Sequence, residues 1–116
     1  MKSSVRQLVV NADDFGFTRD VNQGIVEAHR YGILTATTLM AAGAFEENAF
    51  DDAVRLAGDN PKLDIGCHLV LVGAPPFPLT VAQLVQAVAL KRIRIYDELM
   101  AQVRRILEGR PSQVLH

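Results

Sequence analysis

Leu8-Val9-Val10-Asn11-Ala12-Asp13-Asp14-Phe15-Gly16 sets an apolar run against two adjacent carboxylates and a glycine. Leu8 to Val10 reads as a short buried strand. The carboxylates then fall at its exit, and Gly16 can take backbone angles that other residues avoid. Burying neighbouring carboxylates is costly unless a cation compensates them. At a strand exit in an α/β protein that cation is often a metal or belongs to a substrate. The plainer reading is a strand-to-helix turn, where Asp is common as a helix cap.

Outward from this stretch, strands and helices alternate, the pattern of a parallel α/β architecture. Asp20 and Gln23 have the spacing of a capping box for a first helix. Val21, Ile25 and Ala28 give that helix one apolar face. Gly24 sits inside it, where close packing on a sheet would explain a glycine, and Gly32 stands at the place of a C-terminal cap. Ile33 to Met40, rich in β-branched residues, reads as strand two. A second helix is predicted from about Glu46 to Ala57, with Phe50, Val54 and Ala57 inward and Gly58 as its stop. Strand three runs from Leu63 to Val72. Gly73 to Pro78 breaks regular structure. Thr80 and Gln83 can cap a helix carrying Leu84, Val85 and Val88. A further helix spans Tyr96 to Glu108, and Ser112 to Leu115 opens a fourth strand.

The bulk numbers narrow the function. A chain of 116 residues is one domain or part of one. Its net charge of −1, with the signs interspersed, gives no nucleic-acid signature. The short patch Lys91-Arg92-Ile93-Arg94 reads as a solvated face. The single cysteine, Cys67, excludes an internal disulfide and fits a reducing compartment. No signal-peptide pattern and no run of membrane-spanning length is present. The expected address is cytoplasmic.

Alternation along strand three sets Ile65, Cys67, Leu69 and Leu71 on one face, and Gly66, His68, Val70 and Val72 on the other. Cys67 and His68 therefore do not share a site, and Gly66 leaves room beside the His68 ring. In a parallel sheet the strand exits share one rim, which brings Asp13, Asp14 and His68 together. Asp and His are ordinary ligands of Zn²⁺, and of harder divalent ions with more oxygen donors. Neighbouring carboxylates on an extended chain diverge, so one can hold a metal while the other faces a substrate as a base. Taken alone, a strand histidine is more often a hydrogen-bonded core residue. His29, mid-helix beside Arg30, reads as surface.

Val10 to Gly16, with Val21-Asn22-Gln23-Gly24-Ile25, Ala28-His29, Gly32-Ile33-Leu34-Thr35 and Gly66-Cys67-His68-Leu69-Val70-Leu71-Val72, resembles the YdjC-like carbohydrate deacetylases. The wording of His68 to Val72 is similar to the branch associated with hopanoid biosynthesis. The resemblance is dense over residues 6–72 and loose from 78 onwards. It implies a TIM-barrel-like (β/α) fold of which this chain holds the N-terminal portion. It also implies a divalent metal, Zn or Mg, and removal of acetyl groups from N-acetylated sugars or glycolipids. By position, Asp13 corresponds to the catalytic base, and Asp14 and His68 to metal ligands.

The family's third ligand lies in a Pro-x-His-x-Asp-x-His-x-His strand. Here that region reads Pro111-Ser112-Gln113-Val114-Leu115-His116, and His116 does not fall cleanly in register. The expectation is therefore a single-domain N-terminal fragment of a deacetylase, with a partly built site and doubtful turnover. The alternative is a non-catalytic module of the same ancestry that binds a sugar or a partner. A half barrel would also expose an apolar inward face, and copies of the chain would associate to cover it.

Overall fold

The computed structural model describes residues 4–42, 44–71, 80–92 and 94–109. Within them the order is β1 (Asn11–Phe15), α1 (Arg19–Tyr31), β2 (Ala36–Met40), α2 (Ala49–Asp59), β3 (Asp64–His68), α3 (Val81–Ala89) and α4 (Ile95–Gly109). The strands form one parallel sheet in the order β1-β2-β3. This is the expected α/β alternation. The proposed fourth strand, His116 and the Gly73–Pro78 break lie outside the described residues.

The first strand is displaced from the apolar run. Leu8 and Val9 are 76% and 72% exposed, and pairing begins at Asn11. Val10 stands at the foot of the sheet, its carbonyl accepting from the N–H groups of Thr35 and Ala36. Burial explains the shift. Only one face of β1 meets the helices, and Ala12 and Phe15 are enough to cover it. Strand three is shorter than expected for a different reason: beyond His68 the Val70 backbone bonds to a side chain of α4 rather than to a strand.

Phe15, Leu39 and Ile65 meet Ile25 and Val26 of α1 and Ala53, Leu56 and Ala57 of α2 in one core, which Ile106 of α4 also enters. Full burial of side chains such as Phe15, Leu39 and Ile65 contributes about 1.5–3 kcal/mol each. Across α2, Arg105 of α4 lays its guanidinium 4.1 Å from the centre of the Phe50 ring, a favourable cation–π geometry. Helix α3 carries the capping box read from Thr80 and Gln83 but has no buried residue.

Other local expectations change. Helix α1 is capped by Thr18, whose hydroxyl accepts from the Val21 N–H at 3.1 Å, not by Asp20. Its buried residues are Asn22, Ile25 and Val26, while Ala28 is exposed. Gly24 is also exposed, with open space where a Cβ would stand, so it does not serve close packing. Helix α2 continues through Gly58 because Asn60 closes it: its backbone N–H reaches the Ala57 carbonyl, and its side-chain amide donates to the Leu56 carbonyl at 2.7 Å. These are the carbonyls that a helix end leaves unpaired. His29 is half-buried rather than a surface residue. Its Nδ1–H donates to the Leu34 carbonyl at 2.8 Å and closes the turn into β2.

The sheet face turned away from α1 and α2 is also not the apolar surface anticipated. Alternation places Asn11, Asp13, Thr38, Asp64, Gly66 and His68 there, alongside Ala36 and Met40. Exposed apolar side chains include Leu8, Val9, Ile33 and Phe45, Leu69 just past β3, and Val81 and Val85 along α3. No helix of the described residues is long and apolar enough to cross a membrane.

Candidate metal-binding site at the strand exits

The exit of β1 is not regular strand. Ala12 pairs with Thr37 and Phe15 with Leu39, so β1 spends one residue more than β2 over the same distance. That extra residue is a bulge. Asp14 absorbs it with φ at +69°, a left-handed conformation that Asp tolerates better than most residues. The bulge has two effects. Phe15 returns to the helix-facing side and reaches the core, and the Asp14 carboxylate swings to the rim. Expecting the two carboxylates to diverge from an extended chain therefore misses the cause: the chain is not extended at Asp14.

Gly16 follows with φ at +93°, and a Cβ there would stand 3.2 Å from both Leu39 Cδ1 and the Met40 carbonyl oxygen. The turn closes through a 3.0 Å bond from the Phe17 N–H to the Asp14 carbonyl. Phe17 then stacks in a tilted arrangement on Phe45, at 5.7 Å between ring centres, which ties the loops after β1 and β2 together.

Across the rim, His68 Nδ1 lies 3.4 Å from Asp14 Oδ1. The Nδ1 atom is buried and has no hydrogen-bond partner among the described residues. A core histidine would have satisfied that atom, since buried polar groups are nearly always paired. The donor set suits a divalent ion, since one carboxylate and one imidazole are common zinc ligands. Two ligands each about 2.1 Å from a tetrahedral Zn²⁺ stand roughly 3.4 Å apart. Among the described residues no group of three His, Cys, Asp or Glu side chains converges to hold a metal.

Asp13 stands beside this pair on the polar sheet face. Its Oδ1 accepts from Asn11 Nδ2 at 3.0 Å and from Thr38 Oγ1 at 3.3 Å. Both bonds fall on one oxygen. Thr38 in turn faces Gly66, where an added Cβ would lie 3.4 Å from the Thr38 methyl. Cys67 points the other way, into contact with the core, and burial pushes its thiol pKa up.

Several supporting residues had no role in the sequence reading. Thr38 is a polar residue within an apolar strand, and that is its only local signal. Asn11 and Asn22 belong to the motifs quoted above without an evident task. Asn22 is fully buried, and its Oδ1 accepts from the Gly16 N–H at 2.7 Å. Its Nδ2 donates to the Ala49 carbonyl at 2.9 Å and to Asp52 Oδ2 at 3.1 Å. Burial opposes the charge on Asp52, but hydrogen bonds from Asn22 and Arg55, with the attraction of Arg55 and Arg19, outweigh it and hold the carboxyl below its usual range. Gln102, far along the chain, had no signal at all.

Comparison with known proteins identifies the family. The YdjC-like protein family matches residues 7–116. A carbohydrate deacetylase of Brevibacillus brevis is 47% identical over 78 residues, covering 67% of this chain and 30% of that protein. Carbohydrate deacetylase 2 of Listeria innocua is 50% identical over 70 residues, covering 60% of this chain and 27% of that protein. Among solved structures, a protein of Enterococcus faecalis V583, whose name suggests cellobiose-phosphate cleavage, superposes with a TM-score of 0.68 at 33% identity. That superposition covers 91% of this chain and 45% of the other. The chain thus corresponds to less than half the length of these relatives. With a family match over nearly its whole length, it belongs to the YdjC-like proteins, among relatives named as carbohydrate deacetylases.

Proposed function

We propose that this chain supplies the first strands of a metal-dependent deacetylase site that hydrolyses the acetamide of an N-acetylated sugar or glycolipid. The observation that carries the reading is the buried His68 Nδ1, unpartnered among the described residues, facing the Asp14 carboxylate across 3.4 Å. In this reading Asp14 and His68 hold a divalent ion, Zn²⁺ or Mg²⁺. When bound, such an ion supplies Lewis acidity to an amide carbonyl and to water.

Asp13 is the general base. Asn11 and Thr38 engage its Oδ1 and fix the orientation of the carboxylate, which leaves Oδ2 to take a proton from the attacking water. Attack at the acetamide carbon, then cleavage of the C–N bond as the proton taken by Asp13 passes to the departing nitrogen, gives acetate and the free amine. A positioned base of this kind typically contributes about 10²- to 10⁴-fold. The relatives' names support a carbohydrate substrate. Assignment to a hopanoid-type glycolipid rests on the wording of His68 to Val72 alone.

Titration calorimetry with Zn²⁺ tests the ligands. Binding by the wild-type chain should be lost in Asp14→Ala and in His68→Ala. Binding that neither substitution changes would overturn the assignment. For the base, Asp13→Asn should retain metal binding but abolish acetate release from an N-acetylglucosamine-containing substrate, wherever the wild-type chain releases it.

A further inference from the structure

The two candidate ligands share a feature that neither sequence motif predicts. Each is followed, two residues later, by a backbone group held by a buried side-chain amide. After Asp14, the Gly16 N–H donates to Asn22 Oδ1 at 2.7 Å. After His68, the Val70 N–H donates to Gln102 Oε1 at 2.9 Å, and Gln102 Nε2 returns a bond to the Val70 carbonyl at 2.6 Å. Asn22 is 0% exposed and Gln102 is 3% exposed.

Both amides are anchored in turn, Asn22 by another element and Gln102 by a neighbour on its own helix. Asn22 bonds to Ala49 and Asp52 of α2. Gln102 also donates to Glu98 Oε1 at 3.1 Å, and one turn further along α4 Arg105 donates to the Ala41 carbonyl at the exit of β2. Both holds also act where the sheet gives no support. Asp14 is in a bulge, a strained conformation that persists only when its surroundings over-determine it. His68 is the last residue of β3, and among the described residues Leu69 and Val70 have no ladder partner. With one residue between the held backbone group and each ligand, little slack remains.

We infer that Asn22 and Gln102 are positioning residues that set the Asp14–His68 separation, and through it the affinity for the metal. This rests on the ligand assignment of the preceding section. Supporting residues that orient metal ligands typically change affinity by about 10- to 100-fold when removed.

The test is Co²⁺ binding to the 116-residue chain, followed by visible absorption well below the thermal midpoint, with the midpoint recorded for every variant. Gln102→Met and Asn22→Leu replace each amide by an apolar side chain of similar size. Both should weaken Co²⁺ binding by about tenfold or more and alter the absorption band. Gln102→Glu keeps the acceptor for the Val70 N–H and should recover part of the loss. Should Asn22→Leu fail to fold, Gln102→Met decides. The inference is overturned if the folded variants bind Co²⁺ as the wild type does, even where their midpoints fall, because that is the signature of a purely structural role. Asp14→Ala and His68→Ala serve as controls. If they bind like the wild type, the ligand assignment itself fails. If they lose binding while the amide variants keep it, only the positioning role fails.

Discussion

Replacing Asn22 by Ala removes three hydrogen bonds from a position with no access to solvent, and the cost can be worked bond by bond. The Gly16 N–H loses its acceptor while buried, a penalty of about 1–3 kcal/mol. The bond to the charged Asp52 carboxylate contributes about 1.5–3 kcal/mol when fully shielded. Asp52 is partly exposed and keeps Arg55 at 2.9 Å, so the lower end applies. The Ala49 carbonyl loses an ordinary bond of about 0.5–1.5 kcal/mol. Together these amount to about 3–6 kcal/mol, against a total of about 5–15 kcal/mol for a typical domain. Urea unfolding followed by far-ultraviolet circular dichroism measures the change, and a constant m-value certifies that the denatured state is unaltered. A loss under about 1 kcal/mol at constant m would refute the reasoning, because the turn after β1 would then hold itself without Asn22.

Three further outcomes follow from single positions. Gly24→Ala should raise stability by about 0.5–1 kcal/mol, since the site is an exposed helix interior with open space for a Cβ, and a lower urea midpoint would contradict this. Asp52 has a folded-state pKa below the ordinary 3.8, so its contribution is complete above that pH and is lost as pH falls through the lower, folded value. Acid titration of stability should therefore steepen below about pH 4 in the wild type and flatten in Asp52→Asn; equal slopes would show that the Asn22–Asp52 bond is not linked to folding. Cys67, with its thiol pKa raised by burial, should react with iodoacetamide at neutral pH at least about tenfold more slowly than in urea. Rapid labelling of the folded chain would place the thiol in a more open setting than the core contact described.

The order of elements and the pairing of distant acids with His68 were legible because both depend on short-range patterns. Alternating strand and helix leave a period in the sequence, and strand exits gather on one rim whatever their sequence separation. Strand one was misplaced because hydrophobicity marks what is apolar rather than what is covered. Leu8 and Val9 are apolar and exposed, while the paired segment reads Asn-Ala-Asp-Asp-Phe. The bulge at Asp14 was invisible for a related reason. A single inserted residue changes no composition and shows only in the register against β2. Gly24 and Gly58 misled in the opposite sense, since glycine suggests close approach or a helix stop and serves neither purpose here. Gln102 lies 32 positions from the residue it holds, and nothing local to either end announces the bond.

The bulge also binds the history of the site to the architecture. Regular pairing through all five residues, with no bulge, would turn Asp14 toward the helices and Phe15 away from them, emptying a place at the centre of the core. Substitution at position 14 removes the carboxylate and keeps the bulge, because Asn or Gly there also accepts a left-handed backbone. Deletion of residue 14 removes both, and leaves Phe15 opposite Leu39 in regular pairing. A relative with another side chain at position 14 would still carry the misaligned residue, as a mark in the pairing of its first two strands. The register of β1 against β2 thus records the place of the Asp14 carboxylate even where that side chain has been replaced.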